Sequence, residues 1–367
     1  MADVEPNPGA RVALVLTVRN ERKLLRQNLC YHHHLGAEKA YVYLDDCTDG
    51  TDSTVRDLPF VELRNSRTAE QHADDAEAAD YRSQLGNIVT ARQCLNALDA
   101  VRAARSAGID WICHLDADEL LCVQSHRLEA GVLAKFFAGL PRSVDAVRFR
   151  SYATCRELLR CPDRFADIQL FTTPYTFVKR RLEWPDGPGH FEHSLLMGHR
   201  LGKMAARVHA DTVPDGVHRF RRQATGQRTF SFPVGLDGFT KQALRQPGNL
   251  LAVLHPRPRL LHYYLVDVDD FANKFRRHKQ HPNQYMNGRQ IEDVFRRWRD
   301  FANAPTTTDE QLFSYYERNV LDRFSAAERR WLLASRQLAR ITGPSRFFHE
   351  VYATRYGVAP AHESART

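Results

Sequence analysis

Short apolar runs alternate with amphipathic stretches along the first third of the chain. Val12 to Thr17 is aliphatic and β-branched, the composition of a strand buried on both faces. Residues 21 to 34 place Leu24, Leu25, Asn28 and Leu29 near one face of a helix that Gly36 stops. Ala40 to Leu44 and Phe60 to Leu63 predict two more strands. Ile88, Leu95, Leu98 and Val101 form the apolar stripe of a helix running to Ala107, with Gly108 closing it, and Trp111 to Leu115 predicts a fourth strand. Strands and helices in this alternation predict an α/β architecture, a mostly parallel sheet flanked by crossover helices.

The pattern changes further on. A helix is expected near Leu128 to Leu140, and strands at Ala146 to Arg150 and Gln169 to Val178. Residues 66 to 84 and 182 to 199 are polar and read as loops near a site. The second is rich in Pro, Gly and His, a candidate wall for an acceptor molecule. From Asp267 onward, Phe271 to Lys279, Ile291 to Ala302, Asp309 to Arg323, Ala326 to Arg340 and Phe347 to Tyr356 read as helices rich in Arg and aromatic residues. The expected organisation is a polar lead-in over 1–10, one sheet domain over 11–270 and a helical C-terminal extension over 271–367.

Three polar clusters fall at predicted strand ends: Arg19 to Glu21, Asp45 to Asp49, and Asp116 to Glu119. In an open α/β sheet, ligands gather at the carboxyl ends of the strands. If Asp116 and Asp118 continue the extended backbone of the fourth strand, their side chains point to the same side about 7 Å apart. A strand-end Asp-x-Asp of this kind suits one hard divalent cation, Mg²⁺ or Mn²⁺, which in turn grips a diphosphate. The competing reading is an acidic turn entering a helix, with Asp118 as N-cap. Asn20 has the same capping alternative, and Asp45, Asp46 and Asp49 a turn-forming one.

Composition narrows the partners. The chain has 367 residues, 43% hydrophobic and 26% charged, and its formal charge of +8 attracts anions such as nucleotide diphosphates or an anionic membrane surface. The arginines are spread among the predicted helices, and no helix-turn-helix, zinc-finger or RNP pattern occurs, so nucleic acid is not expected. No apolar run approaches the roughly 20 residues that span a bilayer, and the first residues lack the regions of a signal peptide, which predicts a cytoplasmic protein. Seven scattered cysteines without a Cys-x-x-Cys pair read as reduced thiols. His32 to His34 are adjacent on a helix and point in different directions, so they read as a helix end rather than a zinc site. The sequence leaves the oligomeric state open.

A set of motifs occurs in order: Val18-Arg19-Asn20-Glu21; Tyr31-His32-x-x-Leu35-Gly36; Tyr43-Leu44-Asp45-Asp46-Cys47-Thr48-Asp49-Gly50-Thr51; Trp111-Ile112-x-x-Leu115-Asp116-Ala117-Asp118-Glu119-Leu120; Gly202-Lys203; and His262-Tyr263 followed by Asp269-Asp270-Phe271-x-x-Lys274-Phe275. Over about residues 11 to 280 this resembles the family 2-like and family 92-like glycosyltransferases. The resemblance implies the GT-A fold, a Rossmann-like sheet, and inverting transfer of a sugar from a nucleotide diphosphate donor, a UDP-sugar foremost. It also implies Mn²⁺ or Mg²⁺ between protein and diphosphate.

Carried over residue by residue, the resemblance has Thr17, Arg19, Asn20 and Glu21 lining the nucleotide pocket and Asp45 or Asp46 contacting base or ribose. Asp116 and Asp118 match the metal motif, Asp118 as the direct ligand and Asp116 as a ribose or water-mediated contact. His262 completes the metal or diphosphate site, and Lys203 and His218 form a further basic pair. Cys47 departs from the pattern, which has a small polar or amide residue there more often, and this leaves the donor sugar open. The acceptor is expected to be a saccharide or a lipid-linked glycan, the latter compatible with peripheral membrane contact.

The chemistry is consistent with these residues. Displacing a nucleoside diphosphate at an anomeric carbon builds negative charge on the leaving oxygen, which a metal and nearby Lys or His stabilise. Deprotonating the incoming hydroxyl calls for a carboxylate on the opposite face of the sugar. Glu192 and Asp186, in the 182–199 loop, are the candidates, ahead of Glu119, which adjoins the metal motif. Rival readings are a sugar nucleotidyltransferase, a phosphatase and a non-catalytic nucleotide-sugar or carbohydrate-binding protein. The first is expected to carry a Gly-rich phosphate loop after its first strand, and Val15 to Leu25 contains no glycine. The second places Asp-x-Asp after its first strand, not its fourth.

Overall fold

The computed structural model describes residues 9–67, 71, 74, 76–82, 89–127, 129–195, 202–222, 229–231, 258–277 and 293–357. Residues 1–8, Ile88, residues 196–199 of the polar loop, Lys279 and Ile291, with much of the expected 66–84 loop, lie outside the described residues.

β1 (Val12–Val18) is flanked by β2 (Ala37–Leu44) and β4 (Trp111–His114), and β2 by β3 (Val61–Asn65), all in parallel. β1 is apolar at nearly every position because both of its faces are covered. Leu14 and Leu16 join the core beneath α1 (Leu25–His34), while Ala13 and Val15 meet Ala97, Ala100, Val101 and Ala104. These alanines form the inward stripe of α3 (Val89–Ser106), which follows the single turn α2 (Ala79–Arg82). Small residues on that stripe let the helix lie close on the sheet.

Beyond β4 the strand directions change. β5 (Glu119–Cys122) follows the acidic turn directly, and α4 (Val132–Ala138), β6 (Ala146–Thr154), α5 (Arg164–Asp167) and β7 (Leu170–Thr172) come next. β8 (Lys179–Glu183) and β9 (His190–Ser194) pair as a separate hairpin. β10 (Lys203–Arg207) lies between β4 and β6, antiparallel to both. β11 (Thr212–Pro214) and β12 (Phe220–Arg222) form a second hairpin. β13 (Thr229–Ser231) and β14 (Arg259–His262) run parallel to β6, with β5 antiparallel to β14.

The α/β class holds, but the sheet is mixed rather than mostly parallel. The competing reading took Asp116 to Glu119 as an acidic turn entering a helix, whereas the chain enters a new strand, β5, at Glu119. Asp118 is therefore not a helix N-cap. The backbone does not stay extended through Asp116 and Asp118 either: Glu119 N–H donates to Asp116 O at 3.1 Å, closing a turn. The 182–199 stretch is likewise not a loop throughout, since the end of β8 and all of β9 fall within it. The strand expected over Gln169 to Val178 stops at Thr172, just before Pro174, which has no N–H for a ladder.

The C-terminal part contains α6 (Val268–Arg277) and helices at Asp293–Asn303, Asp309–Tyr315 and Ala326–Ala334. Trp298, Phe271, Phe275, Tyr315 and Tyr316 form their shared aromatic core. The helix expected over Ala326 to Arg340 ends at Ala334, because β15 (Leu338–Arg340) pairs antiparallel with β7. Phe347 and Phe348 then pack on Tyr31 of α1, so this segment belongs to the sheet's own core. Among the described residues no helix is long and apolar enough to cross a membrane.

Candidate functional site

The turn from Asp116 to Leu121 is held from beneath by α1. Asn28, fully buried, donates through Nδ2 to Ala117 O at 3.0 Å and to Glu119 O at 2.8 Å. His32 accepts from Leu121 N–H through Nε2 at 3.0 Å, while its Nδ1 faces Asn28 O at 2.9 Å. Burial holds this imidazole neutral, pushing its pKa down to about 4. The histidine triplet is thus not a metal site: His33 stacks on Phe60 and His34 meets Arg355, each facing away from His32's partners.

Around Asp116 the structure places a fully buried ammonium. Lys203 Nζ lies 3.0 Å from Asp116 Oδ2 and 3.5 Å from Glu119 Oε2, and donates to Val217 O at 3.2 Å. Glu119 in turn accepts from Asp116 N–H at 2.9 Å. Burial works against ionisation of Asp116, yet Lys203 outweighs it and holds the carboxyl below its usual range. For Glu119, burial and the neighbouring carboxylates outweigh Lys203 and push it above its usual range. Lys203 reaches this position because Gly202, at φ +64°, lets β10 approach β6: a Cβ there would stand 1.9 Å from Phe149 O. His218 Nδ1 faces Gly202 O at 2.9 Å, next to Val217.

Asp118 faces different company. His262 Nε2 lies 3.6 Å and Lys274 Nζ 3.5 Å from Asp118 Oδ2, and Lys274 sits 3.9 Å from the centroid of the Tyr264 ring. Burial would raise the Asp118 carboxyl, but Lys274, His262 and Arg164 together hold it well below the usual carboxylate range. His262 is raised in return: Asp118 and Glu119 outweigh its burial. Tyr263 N–H donates to Asp118 O at 2.9 Å, which fixes β14 to the turn.

The ends of β1 and β2 complete the edge. Asp45 is buried between Arg19 Nη2 at 2.9 Å and Arg92 Nε at 3.0 Å, the latter from α3. Arg19 also donates to the exposed Asp46 at 2.9 Å. Thr17 Oγ1 accepts from Asn96 at 3.0 Å, and Asn20 Oδ1 from Thr48 N–H at 2.8 Å. Glu21 N–H donates to Thr51 Oγ1 at 2.9 Å. Asn20 and Asp46 share a φ of 56°, a left-handed turn that Asn and Asp tolerate, so Asn20 is a turn residue rather than a helix cap.

These contacts bring Asp116, Asp118, Lys203 and His262 together, with Thr17, Arg19 and Asp45 in a second polar group on the adjoining strand ends. They do not bring in Glu192 or Asp186. Glu192 is exposed on β9 and pairs with Lys179 across the hairpin, and Asp186, on the hairpin turn, pairs with Arg297. Polar composition marked that loop, but cross-strand and helix contacts use its charges. Sequence reasoning named Lys274 in a motif without a role and passed over Arg92 and Gln93, whose Nε2 is 3.4 Å from Asp116 Oδ1. Asp270 and Lys274, four apart on α6, carried a signal for the lysine.

Asp118 and His262 offer two donors to a divalent cation. With metal–ligand bonds of roughly 2.1 Å, adjacent ligands lie about 3 Å or slightly more apart, close to the observed separation. Among the described residues no group of three His, Cys, Asp or Glu side chains forms a metal cluster. Water and phosphate oxygens would complete the shell, as is common for Mg²⁺.

No family model matches the chain. Two proteins of Arabidopsis thaliana resemble it. Glycosyltransferase-like At2g41451 is 24% identical over 241 residues, covering 61% of this chain and 52% of that protein. Glycosyltransferase-like At3g57200 is 31% identical over 134 residues, 35% of this chain and 25% of that one. The chain thus spans about half the length of the first and a quarter of the second. Among solved structures, glucosyl-3-phosphoglycerate synthase from Mycobacterium tuberculosis, in complex with phosphoglyceric acid, aligns with 44% of this chain and 48% of its own at 12% identity and a TM-score of 0.25. The 4-diphosphocytidyl-2C-methyl-D-erythritol synthase of Anaerococcus prevotii aligns with 55% and 72%, at 11% identity and a TM-score of 0.26. Structural similarity at this level carries no argument about activity or ligand.

Proposed function

We propose that this chain is a GT-A glycosyltransferase of the family 2-like or family 92-like kind, moving a sugar from a nucleotide diphosphate donor to a hydroxyl of a glycan or glycoconjugate. The observation that carries the reading is the acidic turn at the carboxyl end of β4, where Asp116 and Asp118 are kept ionised by Lys203, Lys274 and His262. The names of the Arabidopsis relatives support it.

In this reading the donor lies across the strand ends, its nucleoside toward Thr17, Arg19, Asn20, Glu21 and the Asp45–Arg92 pair. Its diphosphate lies toward Asp118. Mn²⁺ or Mg²⁺, held by Asp118 and His262 with Asp116 nearby, would neutralise diphosphate charge as the sugar departs. Lys274 is a compact, orientable cation on an aromatic face, suited to follow that charge from carboxylate to leaving oxygen. Lys203 is a positioning residue: it fixes Asp116 and the turn without an exposed edge of its own.

The test is a panel of UDP-, GDP- and CMP-sugars assayed for binding and slow hydrolysis with and without Mn²⁺, in the native protein and in Asp118→Asn. One donor should bind and hydrolyse in a Mn²⁺-stimulated manner that the variant loses. If every donor stays intact and unbound, or if the variant matches the native protein, the reading falls.

A further inference from the structure

Strand β6 carries two arginines that the site just described does not use. Its alternation sends Val147 and Phe149 into the main core and Arg148 and Arg150 to the other face, about 7 Å apart. Both are half-buried, and Arg150 Nε is fully enclosed without a hydrogen-bond partner. Neither side chain meets a carboxylate: no ion pair or hydrogen bond of either guanidinium occurs among the described residues. Burial lowers both below the ordinary arginine range, and for Arg148 the charges of Arg150 and Arg219 lower it further.

Three other inward arginines do meet carboxylates. Arg156 is fully buried against Asp322 at 2.8 Å, Arg164 reaches Asp270 at 3.0 Å and Arg92 reaches Asp45. Two neighbouring guanidiniums left uncompensated in a half-buried place are a standing electrostatic cost that folding alone does not require. A forked guanidinium pair is also the arrangement that binds a phosphate or carboxylate oxyanion bidentately. In the register with β10, Lys203 pairs with Phe149 and shares its face, while Met204 pairs with Arg148 on the face of the arginines. Arg219 directly follows His218, which bonds Gly202.

We propose that Arg148 and Arg150 form an oxyanion subsite that takes a phosphate-class group on the acceptor. The subsite stands on its own geometry; assigning its anion to an acceptor rests on the glycosyl-transfer reading. It makes the acceptor an anionic molecule.

Inorganic phosphate and UDP, titrated separately into the native protein, Arg148→Gln/Arg150→Gln and Arg148→Lys/Arg150→Lys, separate the two ideas. Calorimetry gives affinity, and thermal unfolding gives a second readout, since a ligand that binds only the folded state raises the melting temperature. Phosphate should bind the native protein saturably and raise its melting temperature. The glutamine variant should bind it at least about 10-fold more weakly, the loss of one charge-assisted contact, and the lysine variant should fall between. Without phosphate, the glutamine variant should melt no lower than the native protein, which a merely structural role for the arginines would contradict. UDP affinity should stay within about 2-fold, the arginines being outside the donor site. Phosphate binding that is absent, or unchanged by both variants, overturns the subsite. Equal weakening of UDP overturns its assignment to the acceptor. Loss of phosphate binding in a protein that never binds UDP keeps the subsite and sinks the donor reading instead.

Discussion

Asp116 and Asp118 stand on one turn, two residues apart, and are neutralised in opposite ways. Lys203 is wholly buried and is shared by Asp116, Glu119 and a backbone carbonyl, so no part of it is free to leave. Lys274 keeps 24% of its side chain exposed and touches Asp118 at 3.5 Å, from a perch on Tyr264. The first arrangement is part of the fold. The second is a replaceable counter-ion, which is what a carboxylate awaiting a ligand cation needs. One half of an Asp-x-Asp motif can therefore serve structure while the other serves chemistry.

The largest effect expected from this contrast is on stability. Lys203→Met should cost about 3 kcal/mol, because it strands the buried Glu119 and removes the counter-charge of the half-buried Asp116, as read from urea unfolding. A loss under about 1 kcal/mol would mean that the two sides are alike after all. Next comes Asp118→Asn, which should lower donor turnover about 100- to 1,000-fold while leaving stability within about 1 kcal/mol. A comparable loss of stability would break the distinction from the other direction.

The anchor under the turn gives a pH test. His32 titrates near 4 when folded and near its ordinary 6.5 when unfolded. On acidification the unfolded chain takes up this proton first, so the contribution is intact above pH 6.5 and lost as pH falls toward 4. The loss should reach about 3 kcal/mol. His33 and His34 add in the same direction. In His32→Gln, unfolding free energies measured at pH 7.5 and 4.5 should differ by less than in the native protein. The smallest effect belongs to Glu192→Gln and Asp186→Asn, surface charges that pair with Lys179 and Arg297. Each should change turnover by no more than about 2-fold, and a much larger drop would show that the β8–β9 hairpin reaches the reacting sugar.

The parallel half of the molecule was legible because its signals are local. A buried strand such as Val12–Val18 must be apolar at successive positions, and α3 must show a stripe at helical spacing, whatever else the chain does. The mixed half was not, because the choice between parallel and antiparallel neighbours leaves little mark in a short strand. β15 makes the point: Leu338–Arg340 continued a helical pattern and became a strand through β7, whose paired residues Leu170–Thr172 lie far earlier in the chain. The pairing of Glu192 with Lys179 and of Asp186 with Arg297 failed to show for the same reason. Their polarity is real, but its partners are long-range.

By itself the sequence determined the α/β alternation, the placing of three polar clusters at strand ends, and the presence of carboxylates suited to a hard cation. Those follow from hydrophobic periodicity and side-chain chemistry, which each residue carries with it. Only the tertiary structure decided which cation each carboxylate meets, that Asn28 and His32 hold the acidic turn, and that Arg148 and Arg150 meet no counter-charge among the described residues. Such facts depend on distances between segments far apart in the chain, and electrostatic energy is set by distance and burial rather than by order along the backbone.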